Sequence, residues 1–321
     1  MPEHTGWGHP YPGDPAPRRA RGGRRVRSRA VAIAVAIAAL AGAAVFGWLQ
    51  VRSSGSATGG NQAARNGPAA QGSQAPGSTS AGPPANPFAG SPANGYADGQ
   101  AGLVIPAAHA VGRYTAAQVL DAYRTVKKLL VASQLDPKTL AGGAPAAYAS
   151  LLIPAQRAVF LGNLDKTGVT SGGYLRSTRG SVAAFAPGTT RFIGNTIKVH
   201  GSMSARAATL IGRPVLQINV SELFVYPVAP PHHPADWMRV VSHDQGQVDF
   251  GHFTRPDGAL QPWVLLSPFF AGTRCGINDG YIHPAFPGRP PPEVQPSGTA
   301  VNPYSLATAP PGHGCRKTTG T

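Results

Sequence analysis

The chain has 321 residues, among them 41 glycines and 33 prolines, with 13% charged residues and a net charge of +15. That Gly and Pro load approaches the range of unpatterned, disordered chains, yet 42% hydrophobic residues leave material for one ordinary core. A large multidomain enzyme is excluded, and two cysteines exclude a disulfide-dense scaffold or a multi-cysteine zinc or iron–sulfur centre.

Residues 1–29 read as a disordered, basic tail in which Arg18, Arg19, Arg21, Arg24, Arg25, Arg27 and Arg29 crowd the end nearest the next segment. Residues 30–51 follow as an apolar run, and Ala30 to Leu49 contains neither a charge nor a side-chain amide. Twenty helical residues span ~30 Å, the thickness of a bilayer's hydrocarbon core, so the run is expected to be one transmembrane helix. Trp48 suits the membrane interface, and the Arg18–Arg29 cluster, set against Arg52 and Arg65, places the N-terminus in the cytoplasm by the positive-inside rule. The expected partners here are membrane lipids, bound by residues 30–51 and by the Arg cluster on an anionic leaflet. The alternatives are a buried soluble helix and a cleaved signal peptide, the latter with Ala41, Gly42 and Ala43 as a small-residue site, but the long preceding tail opposes cleavage. A nucleic-acid role for the Arg run is not expected.

Residues 52–103 are rich in Gly, Ser, Ala and Pro and are read as a disordered linker, because such a composition buries too little apolar surface to offset its ordering entropy.

Residues 104–286 carry the expected folded domain. Thr115 and Gln118 form a capping-box pattern, and Val119, Tyr123, Val126 and Leu130 fall on one helical stripe. Asp136 and Pro137 open a short second helix ending at Gly142 and Gly143; Pro145 opens a third stretch that Pro154 should divide. Strands are then expected over Thr196 to Ala205, Val215 to Val228, Asp236 to Ser242, Gln247 to Phe253 and Pro262 to Ser267, with a turn at His243–Gly246. Helices first and antiparallel strands after them predict an α+β class, with the N-terminal helices packed on a curved antiparallel sheet. Residues 287–321 hold eight prolines and are expected to be a mostly irregular tail.

The capped helix, the shorter helices and the strand sequence Asp236, Trp237, Met238, Arg239, Val240, Val241 together resemble the cone-shaped nuclear transport factor 2-like fold. Tail, span, tether and such a domain are similar in layout to the Mce-associated proteins of bacterial envelopes, and 22 Arg against 6 Lys resembles actinobacterial composition. The fold contains enzymes and non-catalytic partners alike, so it does not choose a function.

An outward location allows Cys275 to join Cys315, closing about 40 residues. His313 to Arg316 resembles the His-Gly-Cys-x-Arg signature of L,D-transpeptidases. It lacks the residue between Cys and Arg and lies in a Pro-rich tail that gives a nucleophile no rigid frame. His200, His243 and Asp249 are the candidates for acid–base work inside a cone, with His243–Asp244 and Asp249–His252 as the pairs that sequence proximity suggests. Histidine spacing matches no metal motif, and no cofactor fingerprint is present. Trp263, Phe269 and Phe270 mark a segment that is either a buried strand or a partner patch.

The leading expectation is a single-pass cell-membrane protein whose extracellular domain binds or scaffolds an envelope protein or an anionic wall polymer without catalysis. The alternative is a tethered small-molecule enzyme or sensor with an Asp/His pair in a cavity.

Overall fold

In the computed structural model, which describes residues 82–307 and 315–319 apart from 172, 255–257, 291 and 293, helices precede a mostly antiparallel sheet. The basic tail, the apolar run 30–51 and linker residues 52–81 lie outside the described residues. Among those described, no helix is long and apolar enough to cross a membrane.

Helix α1 (Ala116–Gln134) starts where the sequence places it. The Thr115 hydroxyl accepts the Gln118 N–H at 3.2 Å, and the Gln118 side chain accepts the Thr115 N–H at 2.9 Å, satisfying two donors that a helix end otherwise leaves bare. α2 (Pro137–Leu140) is capped by Asp136, which accepts the Thr139 N–H at 2.9 Å. Pro154 cannot continue a helix begun at Ala146, so the third stretch splits into α3 (Ala146–Leu151) and α4 (Pro154–Gly162), with Pro154 in the first turn of the latter.

The main sheet is built from β1 (Ala97–Asp98), β2 (Arg191–Phe192), β3 (Lys198–Leu210), β4 (Arg213–Ala229), β5 (Met238–Gly251) and β6 (Gln261–Ala271), in the order β1-β3-β4-β5-β6 with β2 also on β4. β7 (Ser297–Val301) and β8 (Arg316–Thr318) form a separate parallel pair. Strands β3 and β4 join through Ile211 and Gly212, both at positive φ (49° and 71°), the backbone of a two-residue hairpin turn. β5 runs unbroken through His243–Gly246, where the sequence suggests a turn. Gly246 makes the continuity possible, since its φ is 130° and a Cβ there would collide with the Leu265 carbonyl of β6.

Strand parity divides the sheet into two faces. On the helical face, Leu216, Ile218, Phe224 and Tyr226 of β4 with Val240 and Val248 of β5 meet Val119, Val126, Leu129 and Leu130 of α1, all wholly buried. On the outer face a smaller core gathers Leu223, Val225, Val241 and Ala271 under two straps, one carrying Phe88 and Ala93 and the other Tyr304. The expected linker therefore ends earlier than residue 103. Few apolar anchors suffice there because Arg239 donates from Nε to the Pro87 carbonyl (2.7 Å) and from Nη2 to the Ala89 carbonyl (2.8 Å), while Phe88 is 4% exposed. A disulfide joins Cys275 to Cys315 with Cα atoms 5.6 Å apart, tying the chain beyond the C-terminal strap back to the domain.

The free edge of β6 is blocked. Gln156 of α4 donates to the Val264 carbonyl and accepts the Val264 N–H, both at 3.0 Å, and Pro262 and Pro268, on the same parity, present no N–H there.

Candidate functional site

The three acid–base candidates all fall on the outer face, away from the helices. His200 is exposed on β3 and stacks on Tyr96, ring centroids 4.6 Å apart. His243 on β5 is 5% exposed, and burial lowers its pKa to about 4. Asp249 lies six residues farther along β5, ~20 Å away at a strand's rise, so His243 and Asp249 cannot act on one substrate atom. Its carboxylate accepts from Gln217 Nε2 (2.7 Å) and Gln247 Nε2 (3.0 Å), and Gln217 in turn accepts from Arg206 Nε (2.6 Å). Burial raises the Asp249 pKa against the pull of these amides and of Arg206.

The pairings suggested by proximity do not form. His243 and Asp244 are consecutive residues of a strand and point to opposite faces. The imidazole instead meets Ser221 Oγ at 2.9 Å through Nε2 and Gln245 Nε2 at 2.6 Å through Nδ1. With the Gln245 amide donating to Nδ1, the network assigns the neutral Nε2–H tautomer, which donates to Ser221. Ser221 Oγ also lies 3.5 Å from the Leu306 carbonyl of the C-terminal strap. Nothing short-range in the sequence marks Ser221, which neighbours His243 only through the two-strand register.

Trp263, Phe269 and Phe270 do not make one surface. Trp263 is 7% exposed and lies against Phe253, Phe269 is 37% exposed on the outer face, and Phe270, one residue on, turns to the helical side and packs against the main core. Cys315 is held in the disulfide, so the transpeptidase-like Cys-Arg step carries no free thiol.

The helical face holds two acids together, Asp244, which sequence proximity pairs with His243, and Glu222, which the acid–base reading does not include. Glu222 of β4 and Asp244 of β5 are direct cross-strand partners, 0% and 1% exposed. Gln134, the last residue of α1, donates to Asp244 Oδ2 at 3.1 Å and accepts the Tyr226 hydroxyl at 2.8 Å. Both Glu222 oxygens, Asp244 Oδ1 and the nearby Ser242 hydroxyl have no hydrogen-bond partner among the described residues. Gly201 on β3 makes the room, since a side chain there would strike the Glu222 carboxyl. Burial pushes Glu222 up to about 8, with the Asp244 charge adding to the rise and Lys127 opposing it. Burial likewise raises Asp244 to about 7 against the Gln134 bond. Two sealed carboxyls so placed keep protons that solvated acids lose.

On the solvent side of α1 lies a groove of about 490 Å³, with Ile105, Val131 and Leu135 along it and Arg124, Lys127 and Lys128 at its rim. Lys127 Nζ donates to the Leu103 carbonyl at 2.8 Å, and Arg124 forms an exposed ion pair with Asp121 at 3.3 Å. Among the described residues, no three His, Cys, Asp or Glu side chains gather as a metal site. No protein-family model matches the chain, and comparison with curated proteins and with solved structures finds no match either.

Proposed function

We propose that this chain is a single-pass, membrane-anchored envelope protein whose extracytoplasmic domain, of nuclear transport factor 2-like and Mce-associated layout, binds or scaffolds partners without catalysis. One observation carries the reading: the space between helices and sheet is occupied by side chains, Tyr148, Phe185, Tyr226 and Leu130 among them, all nearly or wholly buried. A small-molecule enzyme of this architecture needs a cavity there with converging titratable groups. His200, His243 and Asp249 lie on the other face, and the acids that do share the interior are sealed. The anchor is residues 30–51 with the Arg18–Arg29 cluster inside the cell, and the partner is an envelope protein or an anionic wall polymer.

Crosslinking in intact cells tests it. A recurring set of envelope proteins or wall fragments captured through the domain is the expected result, and capture of nothing above background removes the reading.

A tethered enzyme remains the second reading because of one contact, Ser221 Oγ to His243 Nε2 at 2.9 Å, the arrangement of an activated nucleophile if the Gln245 amide were reversed. A fluorophosphonate probe decides: labelling lost in Ser221→Ala supports the enzyme, and an unlabelled wild type dismisses it.

A further inference from the structure

We propose that the groove along α1 docks an acidic, amphipathic peptide segment of a partner protein; the inference rests on the binding reading above and names the surface that does the binding. Arg124, Lys128, Val131 and Leu135 follow one another at helical spacings of four, three and four residues, so they form one stripe of α1 and its C-cap. The first half of that stripe is cationic and the second apolar. Lys128 and Leu135 are seven residues apart, ~10 Å along the helix, which sets the distance between the acidic and apolar parts of the occupant.

The positive charge is only partly cancelled locally. Arg124, Lys127 and Lys128 face Asp121 and Asp136, and the Asp136 carboxylate, which lines the groove, is turned to the Thr139 N–H and hydroxyl at 2.9 and 2.7 Å, so a cationic excess is left at the rim. Asp121 pairs with Arg124 only at an exposed site, where such a pair contributes little. Lys127 gives one hydrogen to Leu103 and keeps two, and Lys128 is exposed with no partner among the described residues.

Charge complementarity then selects the occupant. The chain's own N-terminal stretch is crowded with arginines and a second copy carries +15, so both are repelled. A flat anionic membrane meets the rim but cannot fill a groove floored by Ile105, Val131 and Leu135. An amphipathic helix with acidic residues at one end and apolar ones two turns on satisfies both halves.

The test uses the full chain in neutral phosphatidylcholine nanodiscs. The probe is a fluorescein-labelled peptide of ~18 residues, with Glu in its first two turns and Leu at helical spacing after them; the control replaces each Glu by Lys. By fluorescence anisotropy the Glu peptide is expected to bind at least about tenfold tighter than the Lys peptide, and to weaken about tenfold with Arg124→Glu plus Lys128→Glu, and again with added salt. Both substituted residues are exposed, so the fold is retained. Equal binding of the two peptides, indifference to the double reversal, or displacement of the peptide by phosphatidylglycerol vesicles overturns the assignment. If the assignment falls while the in-cell crosslinked set persists, the scaffold reading stands without this groove. An empty crosslinked set with peptide discrimination intact supports the groove and removes the scaffold reading.

Discussion

Glu222 and Asp244 are neighbours across β4 and β5 on the helical face of the sheet, both buried, with three of their four carboxyl oxygens unpartnered among the described residues. A solvated pair would ionise near pH 4, whereas here Glu222 is held up to about 8 and Asp244 to about 7 by burial. The folded state thus binds more protons than the unfolded one between those limits. Its stability is fully present below the unfolded values and is lost as pH rises through the folded ones.

Stability of the domain should therefore fall by on the order of 2 kcal/mol between about pH 6.5 and 8.5, since one retained proton is equivalent to about 1.4 kcal/mol per pH unit. Denaturant midpoints across that range measure it. Glu222→Gln with Asp244→Asn should flatten the slope, and a wild-type profile that is already flat would show the pair to be solvated.

His243 works in the opposite direction at lower pH. Its pKa falls from 6.5 to about 4, so the stability it confers as a neutral ring is present above about pH 6.5 and lost as pH falls toward 4. Between those values it offsets part of the carboxyl effect. His243→Gln should steepen the midpoint slope below pH 6.5 and leave it unchanged above; an identical slope in both ranges would mean that His243 ionises freely in the fold.

Ile211 occupies the first position of the β3–β4 turn at φ 49°, and it is 53% exposed. A β-branched residue pays a steric penalty there that asparagine largely escapes, and Asn-Gly is the favoured pair for such a turn. Ile211→Asn is expected to stabilise the domain by about 1 kcal/mol, or ~2 to 4 °C in Tm. Calorimetry checks it, and a lower Tm would mean that the side chain makes a contact that outweighs the strain.

Closing a loop of 40 residues makes the Cys275–Cys315 link worth about 4 kcal/mol in the chain-entropy account. Cys315→Ser should lower the denaturant midpoint accordingly and speed proteolysis around Tyr304, which the outer-face core now buries. Matching midpoints and digestion patterns with and without the bond would show that the strap is held by packing alone.

Where local chemistry decides, the sequence was legible. The Thr115–Gln118 cap, the Val119–Leu130 stripe and the division at Pro154 need only neighbours within one turn, and the alternation of β3 and β4 needs only parity. The turn at His243–Gly246 was misplaced because Gly246 reads as a breaker, while its use is close approach to β6. The Ser221–His243 contact depends on cross-strand register, which no short window contains. Glu222 was within reach: it shares parity with Leu216, Ile218 and Val220, and a lone acid on the apolar face of a strand is a signal in itself. The ordered strap at Phe88 was hidden by composition, since its anchor Arg239 lies some 150 residues away.

That anchor also fixes how force enters the domain. A chain pulled from its N-terminal side loads the strap first, where two Arg239 hydrogen bonds, the buried Phe88 ring and the Lys198–Asp98 ion pair lie in succession. Tension passes from there into β5 and β3, which share their hydrogen bonds with β4 along their length. Helix α1 packs on the opposite face of the sheet, so tension entering by this route meets the strap and the strands before it meets the helical side.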